Sequence, residues 1–432
     1  LLEYKDTDGD LRADSHQILL EGFGGFNHDH GLHSFVESRD GSLLFAAGNA
    51  GPHLVTDQAG FHLRSGSSYN GGGPSHPGNR AGLVSDDGIA WTGGLIGRMN
   101  QDGTGLNIVA HNFRNNYEVC IDGFGDMYTA DNDDDGNQSC RTVALLEGGN
   151  YGYFSEDGQR FWSADRRPKQ SIQSAHWHQE DPGVLPHGTI TGAGGPTGVT
   201  VYESRLFPQL HGQILNADAG RSIVFTHQPE VVGSELVLKM NTLIEANRDG
   251  ERGSWFRPSD VAVGPKGNIY VADWYDPGVG GHAAGDREAY GRILKLTPSG
   301  IGGGPHTTTH ELASSFWGLA RTQPAQVKVH LNSTQERLRL AAYRALTNAQ
   351  GFQMNLAEKW AQDSSSFVRA HLAASLRTKT WEEKQELLLT LCGSAPFEDR
   401  VYLEALGLGA GIHASELFQE LQRKWAKNSK EK

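Results

Sequence analysis

One short pattern recurs through the first two-thirds of this chain and constrains its fold more than any other feature. Each copy is a turn containing glycine, then an apolar strand that carries an aromatic residue and ends in small or acidic residues. The copies are Asp40-Gly41-Ser42-Leu43-Leu44-Phe45-Ala46-Ala47-Gly48, Asp87-Gly88-Ile89-Ala90-Trp91-Thr92-Gly93-Gly94, Gly125-Asp126-Met127-Tyr128-Thr129-Ala130-Asp131 and Lys266-Gly267-Asn268-Ile269-Tyr270-Val271-Ala272-Asp273. The first three lie roughly 40 to 47 residues apart, and the fourth follows after about three more such periods. Short strands and glycine-rich turns at that spacing are the signature of β-propeller blades. Short runs such as Val199-Thr200-Val201-Tyr202 and Ser222-Ile223-Val224-Phe225 fit the same account. A sandwich or an irregular barrel is the alternative use of such strands.

From about residue 311 the texture changes. Glycine, 56 in the whole chain, thins out, and a helical period rich in Leu, Ala, Glu, Arg and Lys takes over. Three segments align: Arg337-Leu338-Arg339-Leu340-Ala341-Ala342, Val368-Arg369-Ala370-His371-Leu372-Ala373 and Asp399-Arg400-Val401-Tyr402-Leu403-Glu404. Arg339, Arg369 and Arg400 recur at steps of 30 and 31 residues, which predicts a small HEAT-like α-solenoid. The segment Pro298-Ser299-Gly300-Ile301-Gly302-Gly303-Gly304-Pro305 reads as the linker. The expected organisation is therefore a propeller over 1–300, a Gly/Pro linker over 301–310 and helical repeats over 311–432, with a frayed end from Lys427 to Lys432.

With 432 residues, 21% charged and 37% hydrophobic, the chain reads as soluble and folded, with room for two or three domains. A net charge of -13 argues against a general nucleic-acid binder, which needs a basic footprint. The acidity serves either solubility or a site for an acidic partner. No run of 18 apolar residues occurs, so no transmembrane segment is expected. The chain starts Leu1-Leu2-Glu3-Tyr4, without a methionine or signal peptide, so either a targeting segment was removed or this is a fragment, and the blade count stays open at its first blade. Cys120, Cys140 and Cys392 form no CxxC or CxxCH, which excludes a zinc ribbon and a covalent haem. Cys120 and Cys140 flank an acidic loop, and a disulfide between them or two buried thiols are both compatible with the sequence.

Two acidic loops could hold a hard cation. Asp6, Asp8, Asp10 and Asp14 stand at loop positions 1, 3, 5 and 9, a spacing that wraps oxygens around calcium, although Leu11 and Gln17 depart from the EF-hand pattern. The run Asp131-Asn132-Asp133-Asp134-Asp135-Gly136-Asn137 matches D-x-D-x-D-G, and its carboxylates repel one another unless a cation or arginines neutralise them. Asp131, Asp133 and Asp135 are its candidate ligands. Histidines gather in Asn27-His28-Asp29-His30-Gly31-Leu32-His33 and in His176-Trp177-His178. In an extended segment, histidines two apart share a side, which suits a metal or an acid/base pair. Arg114, Arg221 and Arg257 are candidates to hold an anionic ligand, since a guanidinium grips carboxylates bidentately; the alternative is a structural ion pair. No G-x-S-x-G, Walker loop or dinucleotide fingerprint occurs, and Gly71-Gly72-Gly73 and Gly192-Ala193-Gly194-Gly195-Pro196 lie outside any βαβ context.

Arg114-Asn115, the strand after them, the acidic loop and Gly148-Gly149-Asn150-Tyr151-Gly152 together resemble the soluble glucose/sorbosone dehydrogenases, six-bladed propellers that use pyrroloquinoline quinone (PQQ) and calcium. The chain resembles more closely still the membrane-bound-type dehydrogenases of planctomycetes and verrucomicrobia. The segments that carry this are His176-Trp177-His178-Gln179-Glu180-Asp181-Pro182-Gly183, Thr191-Gly192-Ala193-Gly194-Gly195-Pro196-Thr197-Gly198, Arg257-Pro258-Ser259-Asp260-Val261 and Ala272-Asp273-Trp274-Tyr275-Asp276-Pro277-Gly278. The resemblance implies a secreted, periplasmic or extracellular, propeller-plus-HEAT dehydrogenase that oxidises a sugar or other alcohol. It implies that Arg114 and Asn115 contact the quinone, that Arg257 lies near a cofactor carboxylate, and that His30, with His33 as competitor, is the general base. The acidic loop holds more carboxylates than the sugar enzymes' calcium loop, and their cofactor lysine has no clear counterpart. With no cytochrome motif in the chain, the electron acceptor would be external, such as a cytochrome c. The helical tail would serve protein contacts. A non-catalytic glycan- or protein-binding propeller and a calcium-dependent lactonase-like hydrolase are the rival functions.

Overall fold

A computed structural model describes residues 1–25, 29–68, 78–246, 249, 255–277, 290–298 and 308–428. His28 of the first histidine group, Gly71-Gly72-Gly73, Gly278, most of the 298–305 linker and residues 429–432 lie outside the described residues.

The repeated turn has one hydrogen-bonding scheme. In the first copy the Ser38 N–H donates to Ser42 O and the Gly41 N–H to Ser38 O; the same pair of bonds closes Ser85–Ile89, Asp122–Asp126 and Gly264–Asn268. The second-to-last residue of each loop is a glycine with φ between 80 and 86°, a left-handed geometry that costs an L side chain about 1–2 kcal/mol. This is the three-residue hairpin loop with a left-handed glycine that matches the twist of paired strands. It recurs at Gly60 and Gly103, where the sequence pattern is weaker.

The strands leaving these turns form mostly antiparallel sheets. The first holds Leu32–Glu37, Leu43–Ala47, Gly94–Met99 and Asn107–Phe113, with Gly149–Asn150 added parallel at its edge. The second holds Asn116–Ile121, Met127–Asp131, Arg141–Leu145 and Thr189–Ile190. The third runs through Pro196–Tyr202, Gln213–Asp218, Ile223–Val232 and Glu235–Glu245, and the fourth through Pro258–Val263, Ile269–Asp273 and Arg292–Leu296. Two hairpins, Leu2–Lys5 with Ser15–Ile18 and His53–Thr56 with His62–Ser65, complete the described sheets. Inner strands such as Met127–Asp131 are buried along their whole length, whereas His53–Thr56 alternates buried and exposed. Three of the four repeat copies continue as expected into a strand. The Asp87 copy does not: Trp91 donates its indole N–H back to Asp87 Oδ2 at 2.9 Å and makes only an isolated bridge to Ser65, and the strand starts at Gly94.

The C-terminal part is helical from Thr309 onward, with Thr308 and Glu311 forming a capping box. Its helices pack on the second sheet: Val143, Leu145 and Val119 share one apolar cluster with Leu340, Tyr343, Leu372 and Leu388. Charged clamps reinforce the seam. Arg337 binds Asp122 and Asp126, with Nε 3.0 Å from Asp126 Oδ2, and Arg344 donates to Asp126 Oδ1 at 2.6 Å. Of the recurrent arginines, Arg339 pairs with Asp363 and Arg369 donates to Asp363 O, both within the helical part, whereas Arg400 donates to Val184 O at 2.6 Å across the seam.

Candidate functional site

The site grows from the end of one strand. A register shift between Thr129 and Asp131 turns the Asp131 carboxylate, fully buried, back over the preceding strand. There it accepts the backbone N–H of Asn115 at 2.8 Å and of Arg114 at 3.2 Å, and the Arg141 guanidinium at 2.9 Å. Arg114 and Asn115 are thereby folded around an anion. The Asn115 side-chain oxygen lies 2.6 Å from His33 Nε2, and Arg114 Nη1 donates to Asn132 Oδ1 at 2.5 Å. The Arg114 carbonyl accepts from the Asn49 N–H, and Asn49 Oδ1 stands 2.6 Å from His30 Nδ1. Gly48 permits this approach, since a Cβ there would stand 2.5 Å from Asn115 Oδ1 and 2.8 Å from His30 Cα. His30, His33, Arg114 and Asn115, some 80 positions apart, are thus brought together.

With the Asn115 oxygen accepting, His33 holds a proton on Nε2 and in the neutral ring Nδ1 carries the lone pair, whereas His30 donates from Nδ1 to Asn49 and its Nε2 stands 3.8 Å from Asp29 Oδ1. Burial lowers the His33 pKa against the opposing pull of the Asn115 hydrogen bond, keeping the ring neutral and basic near pH 7. Its face rests on Tyr117 at 4.7 Å between centroids. His30 is only 3% exposed, and His33 is more open.

The acidic loop departs from expectation. Both Asp131 oxygens are engaged, by two backbone N–H groups and by Arg141, whereas Asp133 and Asp135 are held within the loop. Asp133 Oδ2 accepts from Ser139 N at 2.6 Å and Cys140 N at 3.1 Å, and Asp135 accepts from Gln138 N and the Ser139 hydroxyl. The loop's own N–H groups offset only part of the repulsion, since burial and the neighbouring Asp135 carboxylate still push the Asp133 pKa up. Asp134 serves a separate cluster that the sequence did not single out: it meets His176 Nε2 at 2.8 Å, the Tyr153 hydroxyl at 3.0 Å and the Trp162 indole N–H at 2.9 Å. Burial would raise its pKa, but the bond and charge of His176 and the nearby Arg114 bring it down to about 2. Arg141, wholly buried with its guanidinium carbon 3.4 Å from the Trp177 ring centroid, was equally unmarked; its only signal was a charged residue opening an apolar strand.

The second histidine pair is also corrected. His176 ends a short helix and faces Asp134, whereas His178, at φ 43°, turns away and its Nδ1 meets Gly152 O at 2.7 Å. The expected shared side required an extended segment, and the chain there leaves a helix at His176 into a turn. In the N-terminal loop, Asp6, Asp8 and Asp14 each bring an oxygen within 4.8 Å of the others, while Asp10 accepts from Arg12 N at 2.8 Å. Arg257 departs most. Its guanidinium donates to the carbonyls of Asp276, Ala219, Gly220 and Pro277 at 3.0–3.2 Å, knitting backbone from three segments. Arg221 donates to Thr191 O at 3.3 Å. Cys120, Cys140 and Cys392 are free thiols, which settles the alternative left by the sequence.

Solved structures with partial likeness include the PQQ-bound aldose sugar dehydrogenase of Streptomyces coelicolor, at 18% identity and a TM-score of 0.35 over 64% of this chain and 62% of that one. A glucose dehydrogenase follows at 16% identity and 0.41 over 68% and 72%, and the soluble aldose sugar dehydrogenase of Escherichia coli, in its apo form, at 16% and 0.33 over 61% and 66%. This chain spans 62% of the Streptomyces coelicolor enzyme's length. No curated protein matches. A family model described as "Domain of unknown function (DUF7133)" matches residues 1–71 and 75–283, and the chain belongs to that family.

Proposed function

We propose that this protein is a quinone-dependent dehydrogenase that oxidises a sugar or another alcohol. The observation that carries the reading is the His33–Asn115 bond, which joins a neutral, lone-pair histidine to the Arg114-Asn115 pair that the sequence likens to a quinone contact. Arg114, Asn115 and His33 fit PQQ, offering a guanidinium, an amide and a base around one buried carboxylate. Arg257 does not fit, because its donors are taken by carbonyls, and it is left out of the cofactor contacts. When bound, the quinone supplies a hydride acceptor. The chain's own part is to hold the substrate hydroxyl against His33 Nδ1, which takes its proton, and to keep that ring in one tautomer through Asn115. His33 moves ahead of His30 as the base because it is the more open of the two. Calcium belongs in this reading at Asp6, Asp8 and Asp14.

In the same reading the sheets are blades of a six-bladed-type propeller over 1–300 and the helices HEAT-like repeats over 311–432. The compartment is periplasmic or extracellular, and an external cytochrome c takes the electrons. Arg257, tied to backbone carbonyls, favours one second reading, a non-catalytic propeller that binds glycans or proteins. Reconstitution separates the two. Protein loaded with PQQ and calcium is expected to reduce an artificial dye with some aldose or alcohol, with His33→Ala lowering kcat at least 100-fold. Absence of PQQ binding in a fluorescence titration would sink the dehydrogenase and leave the scaffold.

A further inference from the structure

Beyond that reading, and independent of it, we propose that Asp165, His178 and Asp181 form a centre for a divalent cation of the zinc class. Each offers one ligand atom, and the three atoms lie within 4.8 Å of one another. The argument rests on His178. Its ring is 97% buried by a 3% exposure, and Nδ1 stands 2.7 Å from the Gly152 carbonyl, which can only accept. A ring proton is therefore on Nδ1, and in the neutral ring Nε2 carries the lone pair. That nitrogen is buried without a hydrogen-bond partner, and it points at Asp165 Oδ2 from 3.6 Å. A lone pair aimed at a carboxylate across that gap is repulsive unless a positive charge sits between them.

The surroundings match a metal-ligand shell. A ligating histidine commonly gives its other N–H to a carbonyl, and ligating carboxylates are themselves braced by donors. Asp165 Oδ1 is held by Arg160 Nε at 3.0 Å and Asp181 Oδ1 by Arg167, which leaves Asp165 Oδ2 turned toward Nε2. Asp157, Asp165, Glu180 and Asp181 surround Arg160 and Arg167 in linked ion pairs, so four carboxylates face two guanidiniums. An imidazole nitrogen with two carboxylates suits zinc or cobalt rather than calcium, whose sites are built from oxygen. The cation would tie the helix Trp162–Asp165, whose Trp162 caps Asp134, to the turn after Trp177.

The test uses the full chain, stripped with a chelator and titrated with zinc by calorimetry and with cobalt by visible absorption. One equivalent of each is expected, with affinity reduced at least tenfold in His178→Gln and in Asp165→Asn. The Asp6→Asn/Asp14→Asn double variant should leave it unchanged. Asp165 is partly exposed, so its variant keeps the test usable if the histidine variant fails to fold. Failure of the unaltered chain to take up zinc and cobalt overturns the proposal, whatever the variants do. Uptake of calcium alone, or zinc binding indifferent to both single variants, overturns it as well.

Discussion

At the scale of single residues, buried charge is placed by its partners. Glu118 lies on the strand after Arg114-Asn115 and accepts the Val199 N–H at 2.7 Å. Burial, and then the neighbouring Asp260 charge, raise its pKa to about 7. An acid whose folded pKa exceeds its unfolded value holds its proton longer in the folded state, so stability falls as pH rises from about 4.5 to 7 and stays reduced above. Glu118→Gln, which keeps an oxygen for Val199, is therefore expected to stabilise the protein at pH 8 by on the order of 2 kcal/mol and to change little at pH 4. Urea unfolding at the two pH values checks this. The residues also mark where sequence reading ends. His33, Arg114 and Asn115 were legible as candidates because their motif is local. The partners of Asp131 and Arg257 were not legible, because a carboxylate in an acidic run and an arginine before a proline look free in sequence. What engages them, two backbone N–H groups and a set of carbonyls, comes from chain 16 to 38 residues away.

At the scale of elements, the recurrent turn was almost fully legible, because a left-handed glycine and its neighbours act within five residues. Its copies nevertheless differ in what they touch. A Cβ at Gly41 meets nothing within 4 Å, whereas at Gly125 it would stand 2.7 Å from the Trp317 ring of the helical part. Gly41→Ala should cost about 1 kcal/mol, the left-handed penalty alone. Gly125→Ala should cost about 1–3 kcal/mol more, because the indole must move from a packed seam. Thermal unfolding of the two variants side by side measures the difference. The helical elements were legible in kind, and Thr308 caps the first described helix within the segment expected as linker. Their docking was not, because a helical period names a buried stripe and not the surface that covers it.

At the scale of the whole molecule, the helices share a core with the second sheet instead of standing apart as an accessory tail. Arg337, 15% exposed in its side chain, stands between Asp122 and Asp126, which are 1% and 2% exposed. Removing this guanidinium leaves the buried Asp122 without its cation, while Asp126 keeps Arg344. Arg337→Ala is expected to lower the unfolding free energy by about 3–5 kcal/mol, read by denaturant titration.

Asp126 and Asp131 lie at opposite ends of one buried strand. Met127 to Asp131 covers about 13 Å at the usual rise per residue. One end is bolted to the helices by Arg337 and Arg344, and the other carries the carboxylate that shapes the Arg114-Asn115 turn beside His33. The strand is thus a stiff strut between the helical seam and the candidate site. Between the arginine clamp on Asp126 and the carboxylate that holds Asn115 there are four residues of buried, paired strand and no loop.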